Sequence, residues 1–383
     1  MSKTVLFVYG TRPEAIKMAP VVLEMRKHPE LTPVVAVTGQ HRRILDQVNS
    51  VFGIEPDFDL DMMTQGQTLA GITTKTLNGL EPILRSVEPA AVCVQGDTTT
   101  CFAGALAAFY HQISVAHLEA GLRTDTKYNP FPEELNRRLT TQLADLHLAP
   151  TTVARDNLIR ESVAASAIVV TGNTVIDALL ATTAAPRTIE HAELSQFLNA
   201  TTGRPLLLVT SHRRESWGEA MRRTATAIAE LARTFPRLRV VVPAHPNPIV
   251  QDALRPPLSG LTNVLIIDAL DYADFCQVMK QATVVLTDSG GVQEEAPSLG
   301  KPVLVLRETT ERPEAVAAGS AMLVGTDTSR IVAEVSRLLT DPVHYDNMAR
   351  ARNPYGDGQA ARRAVTAMAH FLGLGPMAEE FTS

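Results

Sequence analysis

Residues 286–295 read LTDSGGVQEE, in which an apolar run leads through a turn of small residues into a helix-like polar segment. The complete run, Thr283–Thr287, is continuously apolar rather than alternating, as expected of a strand buried on both faces. The same succession of short apolar run, polar turn and longer helical pattern recurs throughout the chain. Strands that alternate with helices indicate βαβ units and therefore parallel sheets covered by helices on both faces.

Twelve apolar runs follow this pattern, six on each side of a central stretch. They are Thr4–Tyr9, Pro33–Thr38, Ala91–Gln95, Ser114–His117, Leu146–Ala149, Ile168–Thr171, Leu206–Thr210, Leu238–Pro243, Val264–Ile267, Thr283–Thr287, Val303–Leu306 and Ala321–Val324. The stretch Ala178–Pro205 is rich in Ala and Thr and lacks a strong strand, so we place a domain boundary there. The sequence thus predicts an α/β fold of two Rossmann-like doubly wound domains, 1–177 and 178–357. Ligands of such sheets bind outside the carboxyl ends of the strands, which predicts a central cleft between facing domains.

The composition argues against several classes of partner. The chain has 383 residues with 35 basic and 41 acidic side chains, a net charge of −6. This balance argues against nucleic acid or an anionic membrane as the main partner, and no apolar run approaches the roughly 18 residues of a membrane span. Its 3 cysteines have no metal-ligand spacing, and their odd number suits reduced thiols. We therefore expect a cytoplasmic protein without a metal.

A first candidate anion site follows the first strand, where residues 10–17 read GTRPEAIK. Gly10 permits a tight turn, and Pro13 suits the first turn of a helix. The helix N-terminus would bind an anion together with Arg12 and Lys17. The alternative is a capped surface helix with two solvated cations. No G-x-G-x-x-G motif follows this strand, which argues against a nicotinamide cofactor, and we expect no cofactor.

Three carboxylates in the first half are candidates for acid–base chemistry. Asp97 and Glu119 each follow a predicted strand, and Glu133 follows on a Pro-started helix or loop. Carboxylates close together in a partly desolvated cleft raise one another's pKa and can divide acid and base duties. For each alone, helix capping or a structural ion pair is the more common role, and Arg123 and Arg137 would then balance their charge; the occurrence of three such positions in one half favours chemistry.

The second half contains a candidate phosphate site in the Asp-Ser-Gly-Gly turn. The backbone N–H groups of Ser289, Gly290 and Gly291 would cradle a diphosphate at the positive end of the following helix. Glu295 lies one turn further on, where it would accept hydrogen bonds from a ribose diol. His212 follows another strand and would donate to a phosphate or titrate near neutral pH. The alternatives are a Gly-Gly turn that only permits close packing, and a structural histidine.

These segments together resemble the non-hydrolysing UDP-N-acetylglucosamine 2-epimerases. The resemblance runs from Gly10 to about Gly358 and is carried by GTRPEAIKMAP, TGQHR, VQGDTTT, HLEAGLRT, FPEELNR, VTGNTVID, SHRRE, TDSGGVQEEAPSLGKPVLVLRETTERPEAV and NPYGDG. It implies the two-domain glycosyltransferase-B arrangement, in which residues 358–383 form a C-terminal helix and tail that pack back on the first domain. It also implies a homodimer and a place in the synthesis of cell-surface polysaccharide or related products.

The family's reaction, as the resemblance implies it, interconverts UDP-N-acetylglucosamine (UDP-GlcNAc) and UDP-N-acetylmannosamine (UDP-ManNAc). A carboxylate removes the C2 proton as UDP leaves C1, and UDP then adds back to the bound 2-acetamidoglucal. Each predicted role falls on a matching position. The acid–base candidates are Asp97, Glu119, Glu133 and His212; the sugar and diphosphate contacts are Arg12, Lys17, His212, Ser289, Gly290 and Gly291; the nucleotide contacts are Glu295 for the ribose, Phe275 for the uracil region and Arg312.

The chain departs from the family pattern at a regulatory site. Many bacterial members are activated by a second UDP-GlcNAc molecule beside the active site. Two of its contact positions, a Gln and an Arg in those members, are Arg43 and Gly66 here. The resemblance therefore predicts a vestigial regulatory site formed by Gln40, His41, Arg43, Gly66 and His245.

Three other functions remain compatible with the sequence. A hydrolysing 2-epimerase would share the fold and the first step but release free N-acetylmannosamine and UDP. A glycosyltransferase of the same fold would release UDP only when an acceptor is present. A non-catalytic nucleotide sensor would gain nothing from three carboxylates near an anionic ligand.

Overall fold

The computed structural model describes residues 2–39, 42–62, 66–184, 187–211 and 217–382. Contacts divide the chain into two compact units, the first formed by 1–178 with 355–383 and the second by 179–354. The residues that the structure describes contain no helix long and apolar enough to cross a membrane.

All the described strands are short and lie in parallel sheets. They are β1 (Lys3–Tyr9), β2 (Leu31–Val37), β3 (Phe58–Asp59), β4 (Ala91–Gln95), β5 (Ser114–Leu118), β6 (Leu146–Ala149), β7 (Ile168–Val170), β8 (Leu206–Thr210), β9 (Arg239–Ala244), β10 (Val264–Asp268), β11 (Val284–Thr287), β12 (Val303–Val305) and β13 (Ala321–Leu323). Each of the twelve predicted runs overlaps one of these strands. The sequence missed β3, which has two residues and pairs only with β2.

Helices fill the connections between the strands. They are α1 (Arg12–Met25), α2 (Arg42–Phe52), α3 (Leu69–Val87), α4 (Thr99–Tyr110), α5 (Glu133–Leu143), α6 (Thr152–Arg160), α7 (Thr174–Ala184), α8 (Ala192–Ala200), α9 (Glu219–Thr234), α10 (Pro248–Leu258), α11 (Tyr272–Gln281), α12 (Gly290–Ser298), α13 (Pro313–Ala317), α14 (Thr328–Thr340), α15 (Pro342–Ala349) and α16 (Ala360–Phe371). In the first unit α16 packs against α1.

The first six strands of each unit have the same order, and the first unit has β7 in addition. The first sheet runs β3-β2-β1-β4-β5-β6-β7 and the second β10-β9-β8-β11-β12-β13. In each sheet the order reverses between the first and fourth strands of the unit, which is the doubly wound arrangement. The predicted α/β class with two doubly wound parallel sheets is confirmed. The reversal points lie between β1 and β4 and between β8 and β11, so the loops after these strands are where a ligand is expected.

Each sheet is buried because its strands are apolar on both faces. All five residues of β4 and of β8 are buried. Leu6, Val8 and Val94 belong to the core of the first unit, while the core of the second includes Leu207 and Leu286. Burying each such side chain contributes about 1.5–3 kcal/mol, so apolar burial fixes the strands and leaves their ends for polar residues.

Gly10 is needed for a different reason from the predicted tight turn. A Cβ atom at Gly10 would lie 2.0 Å from the Thr38 hydroxyl oxygen, which belongs to the segment after β2. Glycine is therefore required here by close packing of neighbouring strand ends.

Candidate active site

Glu119 is the most enclosed of the predicted carboxylates. It follows β5 with φ of +63°, a left-handed conformation that costs a non-glycine residue about 1–2 kcal/mol. Its carboxylate accepts hydrogen bonds from Asn173 Nδ2 at 2.9 Å and from Gln95 Nε2. Lys17 Nζ lies 2.5 Å from Oε1 and 2.6 Å from Oε2. Both oxygens therefore face donors, an arrangement that favours the carboxylate ion.

Lys17 reaches Glu119 from the second turn of α1, but the N-terminus of that helix is already occupied. Glu14 is buried, and its Oε2 accepts the backbone N–H groups of Gly10 at 3.0 Å and Thr11 at 2.8 Å. Its Oε1 accepts the Thr98 hydroxyl at 2.6 Å. Burial raises the pKa of Glu14. The carboxylate thus takes donors that we expected to bind an external anion, and it joins the loops after β1 and β4.

Asp97 lies on the loop after β4, and its backbone is held by buried side chains. Gly96 O accepts from His117 Nε2 at 2.7 Å, and Asp97 O accepts from Asn136 Nδ2 at 3.0 Å. Burial lowers the pKa of His117 to about 3, so this histidine is neutral and donates through Nε2.

The Asp97 carboxylate contacts Arg137 Nη2 at 2.5 Å. Burial is the main cause that raises its pKa, and the negative charge of Glu119 adds to this, while Arg137 and Lys17 act in the opposite direction. Asp97 therefore binds a proton more readily than an ordinary aspartate does. Two carboxylates in different environments are the arrangement expected of an acid–base pair.

Glu133 and Glu134 are neighbours with different surroundings at the start of α5. Glu134 is fully buried and accepts from Thr124 N at 3.0 Å and from Arg138 Nε at 2.8 Å. Glu133 is half-buried and, within the described residues, accepts no hydrogen bond. Glu133 is therefore the one available to a ligand. Arg123, expected to balance the site carboxylates, pairs instead with Glu161 at 2.6 Å.

Arg12 is the first residue of α1, and its side chain is half-buried. It makes no hydrogen bond with a residue that the structure describes, so the structure does not bring its guanidinium to the carboxylates.

In the second unit, α12 begins at the end of β11 without a side-chain cap. Ser289 is the N-cap residue, and within the described residues its side chain makes no capping hydrogen bond, in contrast with the capping glutamate of α1. The N–H groups at a helix start need acceptors, and an anion supplies them well. Hydrogen bonds join the turn to the end of β8, since Asp288 accepts from Ser211 at 3.1 Å and Thr287 bonds Thr210 at 2.6 Å.

Glu295 and Arg312 lie beside this turn. A Cβ atom at Gly291 would lie 3.9 Å from Glu295 Oε2, and one at Gly290 would lie 3.6 Å from the Arg312 guanidinium. Arg312 Nε also pairs with Glu294. These four predicted nucleotide residues are therefore grouped at one helix start.

Phe275 lies on α11, where it is half-buried. One helical turn earlier, the Tyr272 hydroxyl lies 3.4 Å from Glu295 Oε1. The helix that carries Phe275 is thereby linked to the α12 group.

The sequence of the chain also matches a protein-family model. The model described as UDP-N-acetylglucosamine 2-epimerase matches residues 23–369. The chain belongs to the UDP-N-acetylglucosamine 2-epimerase family. Among its relatives, the UDP-N-acetylglucosamine 2-epimerase of Bacillus subtilis (strain 168) is 52% identical over 361 residues, which are 94% of this chain and 93% of that protein.

Two solved structures of UDP-GlcNAc 2-epimerases share the fold of this family member. The Neisseria meningitidis protein, bound to UDP-GlcNAc, has a TM-score of 0.86 and 46% identity, covering 96% of this chain and 100% of that one. The Methanocaldococcus jannaschii protein, in complex with UDP-GlcNAc and UDP, has a TM-score of 0.77 and 31% identity, with coverages of 96% and 99%. The family resemblance inferred from the sequence is confirmed.

Several predicted positions lie outside what the structure describes. His212, Gln40 and His41 are not among the described residues, and of Arg43 only its place in α2 is described. Gly66 is exposed with φ of +72°, and no atom of the residues that the structure describes would lie within 4 Å of a Cβ atom at this position. His245 is exposed and accepts from Asn247 N at 3.1 Å, with its ring 5.8 Å from that of Trp217.

Sequence reasoning missed the two amides that hold Glu119. Gln95 ends β4 and Asn173 follows β7, and the side chains of both are buried. They obey the rule that selected Asp97 and Glu119, since polar residues at the carboxyl ends of parallel strands meet at one edge of the sheet. Extending that rule from carboxylates to amides would have found both.

Proposed function

We propose that the chain is a non-hydrolysing UDP-GlcNAc 2-epimerase that interconverts UDP-GlcNAc and UDP-ManNAc through elimination and re-addition of UDP. The observation that carries the proposal is the contrast between Glu119, whose two oxygens face donors, and Asp97, whose pKa burial raises. Such a pair supplies both a base and an acid from the chain's own side chains.

The reaction requires the protein to remove the proton from C2 of the sugar and to release UDP from C1. C2 of the sugar bears no carbonyl, so its proton is too weakly acidic to be removed unless a leaving group departs. A carboxylate takes the C2 proton, the C–H electrons form the C1=C2 bond, and the C1–O bond breaks to release UDP. In the second step a diphosphate oxygen of UDP bonds C1 again, and C2 receives a proton on the opposite face.

The first unit supplies the groups for the sugar in this proposal. Asp97, Glu119 and Glu133 exchange protons with the two faces of C2. Lys17 keeps Glu119 ionised and oriented through contacts of 2.5 and 2.6 Å. Because Glu133 makes no hydrogen bond with a described residue, its carboxylate is available for proton transfer.

The second unit supplies the groups for UDP. The uncapped start of α12, at Gly290 and Gly291, accepts the diphosphate and stabilises the negative charge that develops as UDP leaves. Arg312 adds a cation beside Gly290, and Glu295 accepts from the ribose hydroxyls. The product UDP-ManNAc and a homodimeric assembly belong to the same proposal and rest on the family resemblance. A cytoplasmic location belongs to it as well and rests on the composition and the cysteines.

A proton NMR time course of UDP-GlcNAc with the protein in heavy water tests the proposal. We expect UDP-ManNAc to accumulate to a constant ratio and deuterium to enter C2 of both sugars. Free N-acetylmannosamine with UDP would identify a hydrolysing enzyme. Release of UDP only after addition of an acceptor would identify a glycosyltransferase. Epimerisation without deuterium at C2 would rule out proton removal to an exchanging base.

A further inference from the structure

The Glu119 carboxylate is held by two neutral amides in addition to Lys17. Gln95 is 2% exposed and Asn173 is 3% exposed, and both donate to it. Amides donate at every pH, so their contribution does not depend on titration. Donors directed at both oxygens stabilise the ionised form and leave a carboxyl proton without an acceptor.

The hydrogen bond that Asn173 Oδ1 accepts fixes the orientation of its side-chain amide. Oδ1 accepts the backbone N–H of Val175 at 3.2 Å, so the NH₂ group is the one that points to Glu119 at 2.9 Å. The backbone N–H of Asn173 donates to Tyr355 O at 2.6 Å. The next residue, Thr174, donates its hydroxyl to Lys17 O at 2.7 Å. Residues 173–174 therefore hold both members of the Lys17–Glu119 pair.

We propose that Asn173 is a positioning residue, whose side-chain amide keeps Glu119 ionised and oriented and which is itself held in place by Tyr355, where the chain re-enters the first unit. This inference rests on the proposed function, because it gives Glu119 a part in the reaction. In this role Asn173 acts through Glu119.

Substituting Asn173 by Asp gives the sharpest test because the two side chains have the same shape. Aspartate keeps the acceptor for Val175 but replaces the donor by an oxygen facing Glu119 Oε1. One of the two carboxyls must then bind a proton. We expect kcat/KM to fall by about 100-fold at pH 8, and the ratio of wild-type to variant activity to shrink at least about tenfold by pH 5.5. The Asn173→Ala variant should lose activity with much less dependence on pH.

The titratable groups around Glu119 that the structure describes are the same in all of these proteins. They are Lys17 from α1, Asp97 from the loop after β4 and the neutral His117 on β5 itself. Asn49→Ala is the matched control, because Asn49 is also buried but accepts from Tyr9 at 2.9 Å, away from the carboxylates. It should keep the wild-type pH profile. An Asp variant whose profile runs parallel to that of the wild type would overturn the proposal.

A second measurement separates this inference from the proposed function. The ¹³C resonance of the Glu119 carboxyl, assigned by its loss in Glu119→Gln, reports ionisation whether or not the protein turns over. Asn173→Asp should raise its titration midpoint by at least about one pH unit, and an unchanged midpoint would refute the positioning role. Should that variant fail to fold, Gln95→Glu places a carboxylate on the other oxygen and should give the same rise. Failure of the wild type to epimerise would count against the proposed function alone.

Discussion

Lys17 and Glu119 are 102 positions apart, yet one ammonium group contacts both oxygens of the carboxylate. Both side chains are largely buried, with 15% and 6% of their surfaces exposed. Removing one partner of a buried pair typically costs about 3–5 kcal/mol, because the other charge remains without compensation. The pair therefore holds α1 and the end of β5 together as well as setting the charge of the site.

Neutral substitutions at the three carboxylates should separate chemistry from binding. We expect Asp97→Asn, Glu119→Gln and Glu133→Gln each to lower kcat by about 10²–10⁴-fold, the usual effect of removing a positioned acid or base. UDP affinity, measured by isothermal titration calorimetry, should stay within about threefold, since the proposed diphosphate contacts are in the second unit. Near-normal turnover in any one variant would remove that residue from the catalytic set.

The neighbouring residue Glu134 provides the control for Glu133. Glu134 is fully buried and bonded to Thr124 and Arg138, so Glu134→Gln should lower the thermal unfolding temperature. Glu133 makes no hydrogen bond with a described residue, so Glu133→Gln should unfold at the wild-type temperature while losing activity. The opposite pattern would mean that the roles of the two glutamates are exchanged.

The start of α12 can be tested with Gly290→Ala. A Cβ there would make only ordinary contacts, the nearest at 3.5 Å, so the fold should tolerate it. We expect the unfolding temperature to be unchanged and UDP affinity to fall at least about tenfold, because a methyl group would keep a phosphate from the backbone N–H groups. Gly375→Ala, where a Cβ meets open space, is the control and should change neither. Unaltered UDP binding in Gly290→Ala would place the diphosphate elsewhere.

The strands were predictable because buried parallel strands have an unmistakable composition. Ala91–Gln95 and Leu206–Thr210 were predicted with their observed bounds. Strand β3 was missed, since two residues at a sheet edge carry no periodic signal. In the site, the sequence placed Asp97 and Glu119 at strand ends. Asn173 was missed because the strand-end rule was applied to carboxylates alone, and its bond to Glu119, 54 positions away, is visible only in the structure.

The attachment of the C-terminal helix should depend on pH through Asp177. Its carboxylate accepts the N–H groups of Ala360 at 3.2 Å and Ala361 at 2.8 Å, at the start of α16. Burial nevertheless raises the pKa of Asp177 from 3.8 to about 6. The folded state thus favours the protonated form, so its contribution to stability is complete below pH about 4 and is lost as pH rises through 6. A rise of that size in the pKa corresponds to about 3 kcal/mol in the free energy of unfolding.

Urea unfolding of the wild type and of Asp177→Asn between pH 4 and pH 7 measures this contribution. The free energy of unfolding of the wild type, relative to the variant, should fall by roughly 2–2.5 kcal/mol over that range, since part of the full contribution is already lost at pH 4. Asp357 has its pKa lowered by the nearby Arg363, but it is present in both proteins and cancels in the difference. A difference that stays constant with pH would show that Asp177 does not titrate there.

The last prediction concerns regulation, and it follows from Gly66. A regulatory sugar nucleotide needs donors for its diphosphate, and Gly66 has no side chain where the family resemblance implies an Arg. One lost charge-assisted bond of about 1.5–3 kcal/mol weakens binding roughly tenfold to a hundredfold or more. The backbone here is also left-handed, with φ of +72°, a conformation that disfavours an Arg.

Arg43 adds a cation at the other altered position of the regulatory site. A guanidinium differs from a Gln amide in length and donor pattern, so we do not expect Arg43 to restore binding of the regulatory sugar nucleotide. We therefore expect UDP-ManNAc alone to be epimerised in the reverse direction without a lag, as followed by NMR from pure substrate. A pronounced lag that trace UDP-GlcNAc abolishes would show instead that Arg43 restores the regulatory site.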